Sequence, residues 1–147
     1  MIPDFRSDGL LPEGVHLVDN WKEFVTRFGK TAHRKALLKK FRLGLLNLRD
    51  AGCAWVWVDG SFVTDKARPN DVDGCWELTP HIDLTILDES FLLRAFKDRV
   101  ALQADYAMDF FVAGATETGS GMPFSEFFQS APGGIKKGIV KLELGIL

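Results

Sequence analysis

Two aspartates that are one residue apart are the side chains in this sequence best suited to chemistry. Asp71 and Asp73 flank Val72 in a stretch that predicts a β-strand. Because strand side chains alternate between faces, both carboxylates project from one face while Val72 points into the core. Two like charges on one face resist burial unless a cation lies between them, and magnesium prefers such oxygen ligands. The pair therefore predicts a site for Mg²⁺ or Mn²⁺.

A predicted phosphate-binding turn precedes this pair. Residues 55–58 are β-branched and aromatic, which favours a strand, and Gly60 and Ser61 follow it closely. Glycine tolerates positive φ and lets the backbone approach a ligand, and we expect Ser61 to cap a helix start, where phosphate binds readily. Lys66 and Arg68 come next, in a loop where they either meet the charge of a triphosphate or are only solvated.

A third carboxylate lies in an apolar run. Asp109 is the only charged residue in 106–112, so the run predicts a buried strand. Burying a lone carboxylate is costly, and either a shared cation or a salt bridge to Lys or Arg would remove that cost. The two other aspartates favour the cation, and we expect Asp71, Asp73 and Asp109 to converge on one point. Asp59 faces the same way as the strand's tryptophans, and we expect it to be structural.

These pieces in this order resemble a known signature. Gly60-Ser61, a gap of nine residues, Asp71-Val72-Asp73 and a later strand carboxylate are similar to the DNA polymerase β-like nucleotidyltransferase superfamily. The residues and spacing of the motif resemble those of a little-characterised prokaryotic and phage-associated subgroup of stand-alone minimal enzymes. The resemblance covers residues 50–115 well and the ends loosely.

The resemblance implies an α+β fold of two layers, a small mixed sheet with helices mainly on one side. A single domain would span residues 1–147, with 1–30 as an N-terminal extension carrying a short helix and 31–147 as the core. At 147 residues the chain is long enough for one hydrophobic core. It has no membrane-spanning apolar run and no signal-peptide pattern, so we expect a cytoplasmic protein.

The implied reaction transfers a nucleoside monophosphate from an NTP to a hydroxyl group and releases pyrophosphate. Asp71, Asp73 and Asp109 would be both the catalytic residues and the metal ligands, with Asp109 assisting deprotonation of the hydroxyl. Gly60 and Ser61 would fix the phosphates. The implied acceptor is a macromolecule, tRNA or a partner protein, in a toxin–antitoxin or phage-defence system. The alternative is a non-catalytic scaffold of the same fold that binds a partner protein or a nucleotide.

Hydrophobic periodicity and capping residues predict the remaining elements. We expect helices at 21–28, capped by Asp19 or Asn20, at 31–51, and from Asp88 or Ser90 to about 102. Further strands are expected at 106–113 and, half-exposed, at 138–144. Two cysteines, Cys53 and Cys75, have no metal or redox spacing, so we expect both to be reduced and structural.

The second of these helices is strongly basic. Residues 30–49 contain seven of the 18 Lys and Arg residues and no acid, and Lys35, Lys39 and Arg42 follow helical spacing along one polar face. Such a face is either solvated or a surface for RNA or an acidic partner protein. The net charge of −2 does not decide between these readings.

Overall fold

A computed structural model describes residues 1–95 and 98–147. Its helices are α1 (Trp21–Phe28), α2 (Ala32–Asp50), α3 (Glu89–Ala95), α4 (Val100–Tyr106) and α5 (Phe124–Phe127). Its strands are β1 (Gly14–Leu17), β2 (Trp55–Asp59), β3 (Val72–Trp76), β4 (Met108–Val112), β5 (Ser130–Ala131), β6 (Ile135–Lys136) and β7 (Gly138–Glu143). Two 3₁₀ turns, Gly60–Val63 and Leu144–Ile146, follow β2 and β7.

Five strands form one mixed sheet in the order β1-β7-β2-β3-β4. The two outer pairs, β1 with β7 and β3 with β4, are parallel, whereas β2 is antiparallel to both of its neighbours. Strands β5 and β6 form a separate antiparallel pair. The predicted α+β class with a small mixed sheet is therefore confirmed. Strand β1, inside the segment predicted as an N-terminal extension, is an edge strand of this sheet.

The strands alternate between two environments. On one face, alternate residues of the strands join side chains from α1 to α4 in the main core; these include Val58, Val72, Met108, Phe24 and Phe41. The other face carries the remaining strand residues and a smaller cluster of Cys75, Ala113, Phe128 and Ile139, against which α5 packs. Four of the five helices thus contribute to the core on one side of the sheet, which leaves the opposite face for the carboxylates.

Local signals explain where the first two helices begin. The side chain of Asn20 accepts a hydrogen bond from the Glu23 N–H (2.9 Å), and that of Thr31 accepts one from the Arg34 N–H (3.1 Å), so each caps a helix. Both predicted helices are confirmed. Cys53 and Cys75 are free and buried, as expected. Within the described residues, no helix combines the length and apolar character needed to cross a membrane.

Three element predictions need correction. The helix expected from 88 to about 102 is two helices, because Asp98 and Arg99 are non-helical and the Asp98 carboxylate accepts the Val100 N–H (3.2 Å). Phe96, which the apolar periodicity of this predicted helix places on its apolar face, lies outside the described residues. The strand expected from 106 begins at Met108, since Ala107 has φ of 55° and ends α4. The strand expected to be half-exposed at 138–144 is β7, an interior and largely buried strand, because the smaller cluster covers the start of its second face.

Candidate active site

Three carboxylates meet at one end of the sheet. Asp73 and Asp109 are register partners on the parallel strands β3 and β4, and Asp71 immediately precedes β3 on the same side. One oxygen from each of Asp71, Asp73 and Asp109 lies within 4.8 Å of the other two. The expected convergence of these three carboxylates is therefore observed. These three residues are called the carboxylate cluster below.

Gly60 lies against this cluster. Its φ is +71°, in the left-handed region, and a Cβ at this position would lie 2.3 Å from Oδ2 of Asp73. Any other residue would therefore be strained by its backbone conformation and would also collide with the carboxylate. Gly60 lets the turn after β2 pass directly beside Asp73.

Ser61 does not cap a helix. It is the second residue of a four-residue 3₁₀ turn that begins at Gly60, and the capping position is taken by Asp59, whose side chain makes no capping bond. The turn ends at Thr64, whose N–H and hydroxyl both donate to the Ser61 carbonyl (3.3 and 2.7 Å). The predicted helix start is wrong because these bonds close the turn after one cycle. Ser61 is partly exposed.

A buried arginine holds the segment after Gly60. Arg34 of α2 donates to the carbonyls of Phe28 (3.0 Å), Phe62 (2.7 Å), Thr64 (2.9 Å) and Lys66 (2.6 Å). Burial lowers the pKa of this guanidinium below its usual range. Arg34 therefore holds this segment from inside the protein, although the sequence counted it among the seven basic residues of 30–49, which were expected to be solvated or to contact RNA or an acidic partner. By contrast, Lys35 and Lys39 are exposed.

Lys66 and Arg68 lie beside α2. Lys66 is exposed and lines a groove with Arg27 and Lys30, at the junction of α1 and α2. A guanidinium nitrogen of Arg68 lies 3.4 Å from Nδ1 of His33. Among the described residues, neither side chain forms an ion pair or hydrogen bond with the carboxylate cluster. The structure thus does not bring these two predicted phosphate ligands into contact with it.

The three carboxylates differ in their neighbours. Arg94 of α3 forms an ion pair with Asp109, and the Gln103 amide of α4 donates to Asp71. Asp73 has no such partner within the described residues. Burial, followed by the charges of Asp71 and Asp109, raises the pKa of Asp73 to about 7. In the described part of the chain, Asp73 thus lacks the positive or amide partner that Asp109 and Asp71 have.

Sequence reasoning missed Arg94. Its side chain is 13% exposed and that of Asp109 is 12% exposed, so the pair is mostly shielded from water. The guanidinium also lies over the Phe111 ring, 4.1 Å from the ring centroid. This contact is the salt bridge that the sequence left open as the alternative to a cation. The available signal was that Arg94 is the only basic residue of α3.

Asp59 has a separate partner. Its carboxylate lies 2.8 Å from Nζ of Lys137, and both side chains are largely buried. Burial raises the pKa of Asp59 above its usual range, while Lys137 counteracts the shift. The structural role expected for Asp59 fits this ion pair. Lys137 was not predicted, because it precedes β7 and is 78 positions away in the sequence.

The donor set of the carboxylate cluster fits a hard divalent cation. Three carboxylate oxygens this close match the ligand type that Mg²⁺ and Mn²⁺ prefer. Burial, and then the negative charges of Asp71 and Asp109, raise the pKa of Asp73, and a bound cation would offset both effects. Arg94 competes for the same charge, because its guanidinium already neutralises Asp109. Asp71, Asp73 and Asp109 are therefore the residues that could hold a metal.

Comparison with known proteins places the chain in a family. No curated protein and no solved structure matches it. A family model described as "Family of unknown function (DUF6932)" matches residues 3–143, which is nearly the whole chain. The matched region includes the carboxylate cluster, the Gly60 turn, Arg34 and Arg94. This protein therefore belongs to the DUF6932 family.

Proposed function

We propose that this protein is a metal-dependent nucleotidyltransferase with a nucleotidyltransferase-like two-layer fold. It transfers a nucleoside monophosphate from an NTP to a hydroxyl group of a macromolecule. The observation that supports this proposal is the carboxylate cluster, three oxygens within 4.8 Å of one another, beside a glycine turn that touches Asp73. Both parts of the motif thus lie at the same end of the sheet.

The proposed reaction is a single displacement at phosphorus. The acceptor oxygen bonds to the α-phosphorus while the bond from that phosphorus to the oxygen bridging the β-phosphate breaks, and pyrophosphate leaves. The hydroxyl proton passes to a carboxylate oxygen of Asp109. The backbone after Gly60, held in place by Arg34, positions the phosphates. Bound Mg²⁺ or Mn²⁺ would supply neutralising charge to the triphosphate, with Asp71, Asp73 and Asp109 as its ligands.

The acceptor we favour is tRNA or a partner protein, in a toxin–antitoxin or phage-defence setting. A groove of about 520 Å³ between α2 and α4 is lined by Asp71, Gln103 and Lys40. It connects the carboxylate cluster with the basic helix α2, whose Lys35 and Lys39 are exposed. A large acidic acceptor could therefore contact α2 while its hydroxyl reaches the cluster.

One observation favours the alternative, a non-catalytic scaffold that binds a partner protein or a nucleotide. Arg94 neutralises Asp109, so part of the cluster is satisfied as an internal ion pair. In a scaffold this pair would be permanent. In the enzyme, the ion pair between Arg94 and Asp109 must break when the metal and the triphosphate bind.

Labelled transfer tests the proposal. Each α-labelled NTP is incubated with the protein and Mg²⁺ or Mn²⁺ in the presence of total RNA or lysate protein. We expect metal-dependent labelling of one acceptor class, lost in Asp73→Asn and kept in Asp105→Asn, which removes an exposed carboxylate elsewhere. Labelling that persists in Asp73→Asn, or wild-type protein that transfers no label, would contradict the enzyme. Metal-independent partner or nucleotide binding would then favour the scaffold.

A further inference from the structure

A cavity of about 460 Å³ opens at the β4 edge of the sheet, and Arg94, the ion-pair partner of Asp109, lines it. Its walls include the rings of Phe111, Phe124, Phe127 and Phe128, contributed by β4 and the region of α5. The first three of these side chains are only partly buried. Large aromatic side chains in contact with both the cavity and solvent mark a place where an apolar, flat ligand gains by binding.

The rings already use stacking geometry with one another. The Phe111 and Phe124 rings are stacked with centroids 4.2 Å apart and an angle of 14° between their planes. Phe128 lies at tilted angles to both rings, with centroids 6.0 and 5.6 Å away. Phe124 and Arg94 already cover the two faces of Phe111, so a planar aromatic ligand would stack on the other rings of the wall, because each base has a face that can stack on phenylalanine.

One residue links this cavity to the carboxylate cluster. Arg94 lines the cavity, lies over the Phe111 ring and forms the ion pair with Asp109. Phe111 follows Asp109 by two residues on the same strand face, so the two positions are about 7 Å apart along β4. One nucleotide can span such a distance between its phosphates and its base.

Polar groups at the cavity distinguish it from a site for a purely apolar ligand. Thr116 and Thr118 line it beside the aromatic rings and offer hydroxyl groups, and Arg94 offers a guanidinium. Glu117 also lines it, with a carboxylate that accepts hydrogen bonds from the Gly119 and Ser120 N–H groups. A nucleobase presents both a stacking face and a polar edge. A hydrophobic peptide side chain would use the rings but would leave these polar groups without a ligand partner.

We propose that the aromatic cavity binds a nucleobase of the substrate whose phosphates or hydroxyl react at the carboxylate cluster. This inference rests on the proposed nucleotidyltransferase function and adds a base-binding site to it. The base belongs either to the NTP or to the end of an RNA acceptor, and both sources share the same stacking chemistry. Arg94, released from Asp109 when the metal and the triphosphate bind, then contacts the ligand from the cavity wall.

Filling the cavity tests this assignment. Ala115 lines the cavity and is exposed, so Ala115→Trp blocks it without removing a core side chain. The matched control is Ala32→Trp, at an exposed alanine at the start of α2. Calorimetry with Mn²⁺ would measure binding of each NTP, of tripolyphosphate and of a single-stranded RNA oligonucleotide. We expect Ala115→Trp to weaken base-containing ligands about tenfold or more and to leave tripolyphosphate unchanged.

The arms of the experiment separate the sources of the base. Weakened NTP binding assigns the cavity to the nucleotide donor, and weakened oligonucleotide binding assigns it to the acceptor. Phe127→Ala, which removes one wall instead of adding bulk, must show the same selectivity. Unchanged affinity for every base-containing ligand in these variants, or no binding of such ligands to wild type, overturns the inference and leaves the cavity to an apolar protein segment. Failure of the enzyme proposal looks different: tripolyphosphate would bind wild type and Asp73→Asn equally.

Discussion

Arg94 determines how the carboxylate cluster behaves without metal. Its guanidinium neutralises Asp109 and leaves Asp71 and Asp73 to share the remaining negative charge. The pair is largely shielded from water, so its Coulomb attraction is stronger than that of a surface ion pair. A cation entering the cluster must therefore compete with an internal one.

Replacing Arg94 by leucine separates the enzyme from the scaffold. In the enzyme, Arg94→Leu removes the competing charge, and calorimetry should show Mn²⁺ binding strengthened about threefold or more. The metal-free variant should lose about 3 kcal/mol in its free energy of unfolding, because Asp109 is left buried without a partner. Arg49→Leu, which breaks an exposed ion pair with Asp50, should change neither quantity appreciably. Unchanged or weaker metal binding in Arg94→Leu would favour the scaffold.

Asp73 should make the metal-free protein less stable as the pH rises. Its pKa is about 7 in the folded protein and about 3.9 in an unfolded chain, so the folded state binds more protons between these values. The free energy of unfolding therefore falls from about pH 4 to pH 7 and then levels off, with a loss on the order of 2 kcal/mol between pH 5 and pH 8.

Urea unfolding in the presence of a chelator measures this dependence. Asp73→Asn should flatten the profile and be more stable than wild type at pH 8, because the amide cannot ionise. Asp105→Asn, at an exposed site, should keep the wild-type slope. A slope that survives in Asp73→Asn would assign the titration to another group.

The sequence predicted the three carboxylates of the cluster but not their partners. Strand alternation brings Asp71 and Asp73 to one face, because a two-residue period is a local property. Asp109 joins them through the pairing of β4 with β3, and the resemblance, which implies a later strand carboxylate, was what indicated it. Arg94 and Gln103 reach the cluster only through the packing of α3 and α4 beside β4, which no local pattern specifies. The same limit applied to Lys66 and Arg68, whose loop is drawn towards α2 by Arg34.

At the scale of elements, α2 supports the turn that follows β2. Arg34 satisfies carbonyls at the end of α1 and along the loop after Gly60 with a single guanidinium. The planar fork of arginine provides several donors in fixed directions, which lysine cannot reproduce. The position of the proposed phosphate turn therefore depends on a residue of a neighbouring helix.

Arg34→Met should destabilise the protein by about 3 kcal/mol, because buried carbonyls lose charged donors and remain unpaired. It should also abolish tripolyphosphate binding at temperatures where the variant is still folded. Arg34→Lys should have a stability and a tripolyphosphate affinity between those of wild type and Arg34→Met, since an ammonium group can donate to only some of these carbonyls. Thermal unfolding and calorimetry together check this. Normal stability in Arg34→Met would show that these carbonyls find other partners.

Helix boundaries show where periodicity stops being informative. Asn20 and Thr31 indicated where α1 and α2 begin, because a capping residue acts on N–H groups within three residues of it. The break at Asp98 and Arg99 was missed, since the apolar positions on either side continue one amphipathic pattern. Arg34 was expected on the polar surface of α2 because the composition of residues 30–49 does not distinguish a buried arginine from the exposed basic residues around it. The interior position of β7 in the sheet could not be predicted either, because strand order depends on long-range pairing.

At the scale of the whole molecule, α2 presents a basic surface beside the groove that leads to Asp71. We define this basic surface as the exposed residues Lys35 and Lys39 with the partly exposed Arg42. If the acceptor is RNA, contacts with these residues release counterions, and binding should weaken steeply as salt increases.

Reversing two of these charges tests the acceptor. The double variant Lys35→Glu and Lys39→Glu should reduce tRNA binding at least about tenfold at low salt and flatten its salt dependence. The double variant Lys22→Glu and Lys136→Glu has the same net charge but alters exposed lysines elsewhere, and it should bind tRNA nearly normally. If both variants bind tRNA like wild type while the first loses a protein partner on co-purification, the acceptor is the protein.

The pairing of β1 with β7 has a consequence for how the chain is made. Gly14 is the register partner of Gly138, so the first strand of the sheet must wait for the last strand to leave the ribosome. Until then, β2 has formed its pair with β3 but keeps a bare edge, and β1 has no neighbour at all. The nascent protein therefore carries open strand edges from the pairing of β2 with β3 until β7 emerges, which exposes it to aggregation or chaperone capture. The arrival of a single strand, β7, closes both edges at once.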